Sequence, residues 1–308
     1  MKSALYRIEH ETRYAHAGGV STSQHVAYLT PRTLPRQHVR WHEVEIEPVP
    51  ASRVQRIDYF GNAVDQFTIL TPYVETRVVG RSVVEVAAAE PSIDGDAGAP
   101  WETVRDELLY QRGTPYEGAA EFSYPSPYVA TAPELAAFAR ESFAPHRSLV
   151  EAAVDLMHRI HDEFIFDPGS TTITTPVTRV LADRRGVCQD FAHLQIGCLR
   201  SLGLAARYVS GYLLTDPPPG QPRLVGADAS HAWLAVWCSG LGWLDLDPTN
   251  AVRPSERHVT LAWGRDYGDV SPVRGVVLGG GRDHTLRVGV SVMPATEDGA
   301  PSPEAPTI

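Results

Sequence analysis

The sequence predicts an α+β fold, with an all-β N-terminal region followed by a core of helices packed on an antiparallel sheet. Three observations carry this reading. Residues 1–90 alternate with a period of two, residues 131–202 carry helical stripes, and residues 205–247 return to strand-like runs.

The first strand is the clearest. Tyr6, Ile8, His10, Thr12 and Tyr14 fall on one side, and Arg7, Glu9, Glu11 and Arg13 on the other. One charged face and one apolar face describe a half-buried strand. Further β-type runs cover His38–Glu47, Arg53–Tyr59, Val64–Leu70 and Arg77–Val86, with Gly61-Asn62 as a hairpin turn between two of them. Short strands with turn residues between them predict a sandwich-like domain over 1–90. Residues 91–100, rich in Gly, Pro and acidic residues, read as a linker. Asp94-Gly95-Asp96 lacks the further ligands of a calcium loop.

The core is expected over 101–293. Thr131 with Glu134, and Ser148 with Glu151, have the spacing of capping boxes. After the second, Val150, Ala153, Val154, Met157, Ile160, His161 and Phe164 trace one helical stripe. His158 and His161 stand three apart without a third ligand nearby, so they read as packing or surface residues. Another helix starts at Cys188 and runs to Leu202, burying Phe191, Ala192, Leu194, Cys198, Leu199 and Leu202, with Gly203 closing it. Strands follow at Ala205–Leu214, His231–Trp237 and Trp243–Asp247, the first two separated by Pro217-Pro218-Pro219-Gly220. Val273–Leu278 and His284–Val292 read as a hairpin around Gly279-Gly280-Gly281, and 294–308 as a disordered tail.

Composition limits the function. The chain has 308 residues, 43% hydrophobic and 21% charged, with a net charge of −10. That is ordinary for a globular protein, and the acidic balance argues against nucleic acid or an anionic membrane as partner. Three cysteines do not make a disulfide framework, and the N-terminus has no apolar leader segment, so the expectation is a cytoplasmic protein. No cofactor and no metal is expected.

The chemistry gathers in Gly186-Val187-Cys188-Gln189-Asp190-Phe191-Ala192, Ser230-His231-Ala232-Trp233 and Asp245-Leu246-Asp247-Pro248-Thr249. A thiol with pKa of about 8.5 needs help to become a nucleophile at neutral pH. A helix N-terminus supplies a partial positive charge and unpaired N–H groups that favour a thiolate and can later hold an oxyanion. Cys188 is placed for that role, whereas Cys198 and Cys238 read as buried structural cysteines. His231 opens an apolar strand, and Ser239-Gly240-Leu241-Gly242 connects it tightly to the next. His231 and Asp247 lie at comparable distances from that turn and are expected to be cross-strand neighbours. One residue of slip would place them on opposite faces, so the register stays open. Asp245 shares a face with Asp247 by parity; Asp247, ended by Pro248 at the sheet rim, is better placed for the base-orienting role.

These motifs, with Gly203–Tyr212 and Asp247-Pro248-Thr249-Asn250, resemble the bacterial transglutaminase-like superfamily and the group described as cysteine proteases related to it. Residues 264–270 are similar to that group's C-terminal segment, and Phe60-Gly61-Asn62 to its N-terminal β-domain. The resemblance implies a papain-like core with Cys188 as nucleophile, His231 as general base and acid, and Asp247 as orienting carboxylate. It implies acyl transfer through a thioester, with a peptide or protein substrate. Water as acceptor gives a peptidase or amidase, an amine gives transamidation, and hydrolysis is the expected outcome. A scaffold that keeps the fold without using the thiol is the rival from another class, and a metal-dependent enzyme a more distant one. No acidic loop resembles the calcium sites of animal transglutaminases, so calcium independence is expected. Trp233, Trp237 and Trp243 are expected in the core or lining an acceptor channel, and Tyr124 and Tyr128 in packing or a cleft wall.

Overall fold

A computed structural model describes residues 3–88, 98–110, 112, 117–215, 230–281 and 283–296. Asp94–Asp96 and the Pro217–Gly220 loop lie outside the described residues, as do most of the expected linker and all of the tail beyond Thr296.

The alternation at the N-terminus produces β1 (Ser3–Ala27), in which Tyr6, Ile8, His10 and Thr12 are buried. With β2 (Gln37–Glu47), β3 (Ser52–Ile57), β4 (Ala63–Ile69) and β5 (Tyr73–Ala87) it forms an antiparallel sheet in the order β2-β5-β1-β4-β3. Hydrogen bonding joins these strands into one sheet, and side chains of β2, β4 and β5 pack into one core on it. The sheet is completed by two strands from the other end of the chain, described below.

The chain beyond this first run of strands holds α1 (Trp101–Glu107), a 3-10 turn at Gly118–Ser123, α2 (Pro133–Arg140), α3 (Leu149–Glu163), α4 (Val177–Asp183) and α5 (Cys188–Ser201). A short parallel pair, β6 (Ile165–Phe166) and β7 (Arg185–Gly186), precedes α5. Next come β8 (Ala206–Leu213), β9 (Ser230–Cys238), β10 (Gly242–Leu246) and β11 (His258–Gly264), an antiparallel sheet in the order β10-β9-β8-β11. The chain continues through α6 (Tyr267–Val270) into β12 (Val273–Gly279) and β13 (His284–Pro294).

The hairpin expected of these last two strands is corrected by the structure. β12 pairs with Val20–Ala27 of β1, and β13 with Tyr6–His16 of the same strand. They therefore run end to end along β1 in one direction. β1 offers a long edge interrupted by a register shift between Ala15 and Val20. Gly279, Gly280 and Gly281 all have φ between 77° and 95°, and a Cβ on Gly279 would sit 2.5 Å from the Gly19 carbonyl oxygen. Glycine lets the chain step past the irregularity without reversing. Residues grouped on sequence with the catalytic core thus complete the N-terminal sheet.

Neither expected capping box forms. Ala132 takes the N-cap of α2 and Pro133 the first helical position, where a missing N–H costs nothing. Ser148 is the N-cap of α3, but its hydroxyl makes no cap bond, and Glu151 turns back to Arg147 at 2.7 Å.

α5 is the axis of the core. Every residue from Asp190 to Arg200 is buried, because the helix packs on β8 and β9 on one side and on α2, α3 and α4 on others. Arg200 is tolerated there because its guanidinium donates to the carbonyls of Phe122, Ala206 and Arg265 and to Ser126 Oγ. The two sheets meet where Tyr212, Val259 and Leu261 pack on Tyr6, Ile8, Val84, Val290 and Val292. Two buried amides lock that contact. Gln37 exchanges hydrogen bonds with the backbone of Thr260, and Asn62, at the expected turn, does so with Trp263.

Candidate active site

Three elements converge on one point. Cys188 is the first residue of α5, preceded by Val187 in extended conformation as N-cap. Asp190 reaches back from the third position to accept from the Val187 N–H at 2.8 Å and from Thr171 Oγ1 at 2.6 Å. That carboxylate fixes the start of the helix, and with it the position of the sulfur. The amides of the first turn have no intrahelical partner.

His231 is the second residue of β9 and Asp247 follows the last residue of β10. Both are buried, at 8% and 0% exposure. His231 Nε2 donates to Asp247 Oδ2 at 2.7 Å. The β9–β10 register pairs Leu246 with Leu234 and Asp245 with Ala235. Asp247 therefore stands beyond the ladder, diagonal to His231 by two residues and on the same face. Asp245 makes the equivalent diagonal contact one step along, accepting from Trp233 Nε1 at 3.0 Å. The register left open by the sequence thus resolves as two parallel diagonals on one face, and the two acids have different partners.

Asp247 is saturated with donors. Oδ2 also accepts from Asn250 Nδ2 at 2.7 Å and His258 Nε2 at 3.1 Å, while Oδ1 takes the amides of Thr249 and Asn250. Burial works against its charge, but these hydrogen bonds prevail and hold the carboxyl well below the usual carboxylate range. His231 responds in kind. Burial disfavours the charged ring, yet hydrogen bonds to Asp247 and to Cys188 outweigh it and push the imidazole up to about 10. Nε2 is committed to Asp247. The structure thus brings Cys188, His231 and Asp247 into one cluster, with His231 hydrogen-bonded to Asp247 and Cys188 close enough to favour its charged form.

Sequence reasoning missed two residues of this cluster. Asn250 lies in the Asp247-Pro248-Thr249-Asn250 run, where its distance of three residues from the acid suits a turn contact. His258 opens β11, a strand whose alternating Val259, Leu261 and Trp263 offered a period-two signal. His161 donates from Nδ1 to the Thr249 carbonyl at 3.0 Å, so it supports the same turn.

His231, Asp247 and His258 also have the composition of a metal-ligand set. Their geometry fits hydrogen bonding better. Ligands at about 2.0–2.1 Å from a tetrahedral zinc stand roughly 3.3 Å apart, and the 2.7 Å contact between His231 and Asp247 is too short for that.

The other cysteines lie apart from this chemistry. Cys198 is fully buried, and burial pushes the Cys238 thiol up to about 12. Trp233 is buried in the core, while Trp243 and Trp237 are in edge contact at 5.5 Å. Tyr128 lines a cavity of about 470 Å³ with Tyr267, Ile173, Tyr14, His16 and His25, so residues of the N-terminal sheet and the core share one cleft. Tyr124 is exposed. No helix among the described residues is long and apolar enough to cross a membrane.

A helix-borne thiol facing a buried histidine and aspartate on an antiparallel sheet, with a β-rich region ahead of it, defines the class. Residues 136–248 match the family model described as the transglutaminase-like superfamily, and residues 6–85 the bacterial transglutaminase-like N-terminal region. The chain belongs to the transglutaminase-like superfamily. It is 40% identical over 299 residues to an uncharacterized protein of Mycobacterium tuberculosis, covering 95% of this chain and 94% of that one. A protein-glutamine gamma-glutamyltransferase of Pseudomonas aeruginosa is 33% identical over 123 residues, covering 37% of this chain and 17% of the relative. The fold is similar to that of a candidate cysteine protease from Cytophaga hutchinsonii, with a TM-score of 0.70, 18% identity and coverage of 99% and 96%.

Proposed function

We propose that the protein is a thiol-dependent enzyme that hydrolyses peptide or amide bonds through a thioester on Cys188. The observation that carries this reading is the His231 ring, hydrogen-bonded to Asp247 at 2.7 Å and held in its charged form by Asp247 together with the nearby Cys188. In the first half-reaction the sulfur of Cys188 attacks the amide carbonyl. The amides at the start of α5 receive the developing oxyanion. The carbon–nitrogen bond breaks, and the departing amine takes the proton of the His231 imidazolium. In the second half-reaction neutral His231 accepts a proton from water, whose oxygen attacks the thioester; the acid leaves and the thiol is restored. Asp247 keeps the ring oriented throughout and stabilises its charged form.

Similarity to a glutamyltransferase over 123 residues supports a second reading, in which an amine replaces water as acceptor. One assay separates the two. A peptide and amide library is incubated with and without a primary amine, with Cys188→Ala as control. Release without amine incorporation supports hydrolysis; incorporation supports transfer. Cys188→Ala is expected to lower turnover by about 10³-fold or more. Iodoacetamide labelling of the wild type tests the non-catalytic alternative: if Cys188 reacts no faster than an ordinary thiol, the catalytic reading fails.

A further inference from the structure

Behind the His231–Asp247 pair lies a second cavity, of about 370 Å³, which Cys188 does not line. Its walls include Arg207, Asp245, His258, Trp233, Trp243 and Trp263. Arg207 is 8% exposed and is held between two indoles, 4.3 Å from the Trp243 ring and 3.7 Å from Trp263. Among the described residues, its guanidinium makes no hydrogen bond and no ion pair, and Nε is buried without a partner. The contrast with Arg200 is direct, since that buried guanidinium donates to three carbonyls and a hydroxyl. A buried cation is stabilised by a hydrogen-bonding partner, and five donors in a fork suit a carboxylate.

The same cavity holds complementary groups. Asp245 uses Oδ1 for Trp233 and has no cation within ion-pair distance among the described residues. His258 spends Nε2 on Asp247, and its buried Nδ1 has no partner. With Nε2 donating, Nδ1 presents a lone pair. Arg207 and Asp245 feel each other's charge without pairing, and Arg36 lines the cavity as a second cation. The guanidinium donors thus suit an anion, while Asp245 and His258 Nδ1 suit a donor, with indole faces among them. A cavity of this size accommodates a small molecule.

We propose that this cavity is a binding site for a small α-amino carboxylate, distinct from the thiol site. Its carboxylate meets Arg207, its ammonium meets Asp245 and His258 Nδ1, and its side chain rests on the indoles. Because His258 also contacts Asp247, occupancy is read by the catalytic pair without touching Cys188.

The test uses the full chain and three matched probes: L-leucine, isocaproate, which lacks the ammonium, and isopentylamine, which lacks the carboxylate. Trp233, Trp243 and Trp263 line the cavity, so intrinsic fluorescence reports binding. L-Leucine is expected to give a saturable change with at least about tenfold tighter binding than either analogue. Arg207→Gln is expected to weaken it by about tenfold or more, and Cys188→Ala to leave it unchanged. Binding retained in Cys188→Ala keeps this proposal separate from the hydrolytic reading, which can fail without it. Arg207→Lys, which keeps the charge and loses the fork, is the second variant if Arg207→Gln does not fold. On the wild type, L-leucine is expected to slow phenylglyoxal modification of Arg207, read by peptide mass mapping. No saturable response, equal responses to all three probes, or an unchanged Arg207 modification rate would each overturn the proposal.

Discussion

The N-terminal sheet and the helix α5 solve burial in opposite ways. The outer face of the sheet carries a ladder of charges: Arg81 meets Glu9 at 2.7 Å and Glu45 at 2.9 Å, Arg77 meets Glu11 at 2.6 Å, and Arg40 meets Glu85. These side chains are partly exposed, and each pair is individually replaceable. α5 has no such face. Its charged residues, Asp190 and Arg200, are buried and act as fixed points, one holding the start of the helix and the other its end. The lesson is where precision resides. A sheet with one wet face holds its shape through many weak contacts, whereas a helix closed in on all sides holds one sulfur in one place.

The sharpest way to break this contrast is at the site itself. Asp247→Asn keeps the shape and removes the charge that stabilises the imidazolium, and should lower turnover by about 10³-fold. The same variant tests the electrostatics. Folding raises the His231 pKa from 6.5 to about 10. The folded protein therefore binds the proton more tightly, so its contribution to stability is full below 6.5 and is lost as pH rises to about 10. Thermal midpoints of the wild type should fall across that window, and the part due to His231 should vanish in Asp247→Asn. A slope that survives the substitution would assign the effect elsewhere.

In the body of α5, Ile196 is fully buried. Ile196→Ala should cost about 2–5 kcal/mol in denaturant unfolding, because the close-packed surroundings cannot collapse onto the void. On the sheet, Arg81→Ala should cost less than about 1 kcal/mol and leave turnover unchanged. If the two substitutions proved equally costly, the charge ladder would be a cooperative network and the contrast would fail.

Legibility in the sequence followed the range of the interactions involved. The first strand, the helix beginning at Cys188 and the tight β9–β10 connection all follow from residues near one another in the chain. Alternation, helical spacing and turn glycines are local effects, and so the helix at Cys188 and the later strands of the N-terminal region appeared with bounds within a few residues, while β1 runs on to Ala27, well past the alternation read to Tyr14. Capping was read less well. Thr131 and Ser148 had suitable partners by spacing, but Pro133 and Arg147 competed for the same turns. At the site, the grouping of Cys188, His231 and Asp247 came from their order and from family resemblance. His258 did not emerge, because its contact to Asp247 depends on β11 pairing with β8, across 45 residues between His258 and Leu213.

Periodicity and residue chemistry along the chain were therefore enough to specify most of the strands and which helix begins with the thiol, and residue order with family resemblance specified which side chains could act together. Three matters depended on packing: the two-residue diagonal that sets His231 against Asp247, the end-to-end course of β12 and β13 along β1, and the burial of Arg207 between two indoles. Each requires surfaces distant in sequence to meet. A chain's local preferences specify which faces are available, and only the assembled core specifies which of them touch.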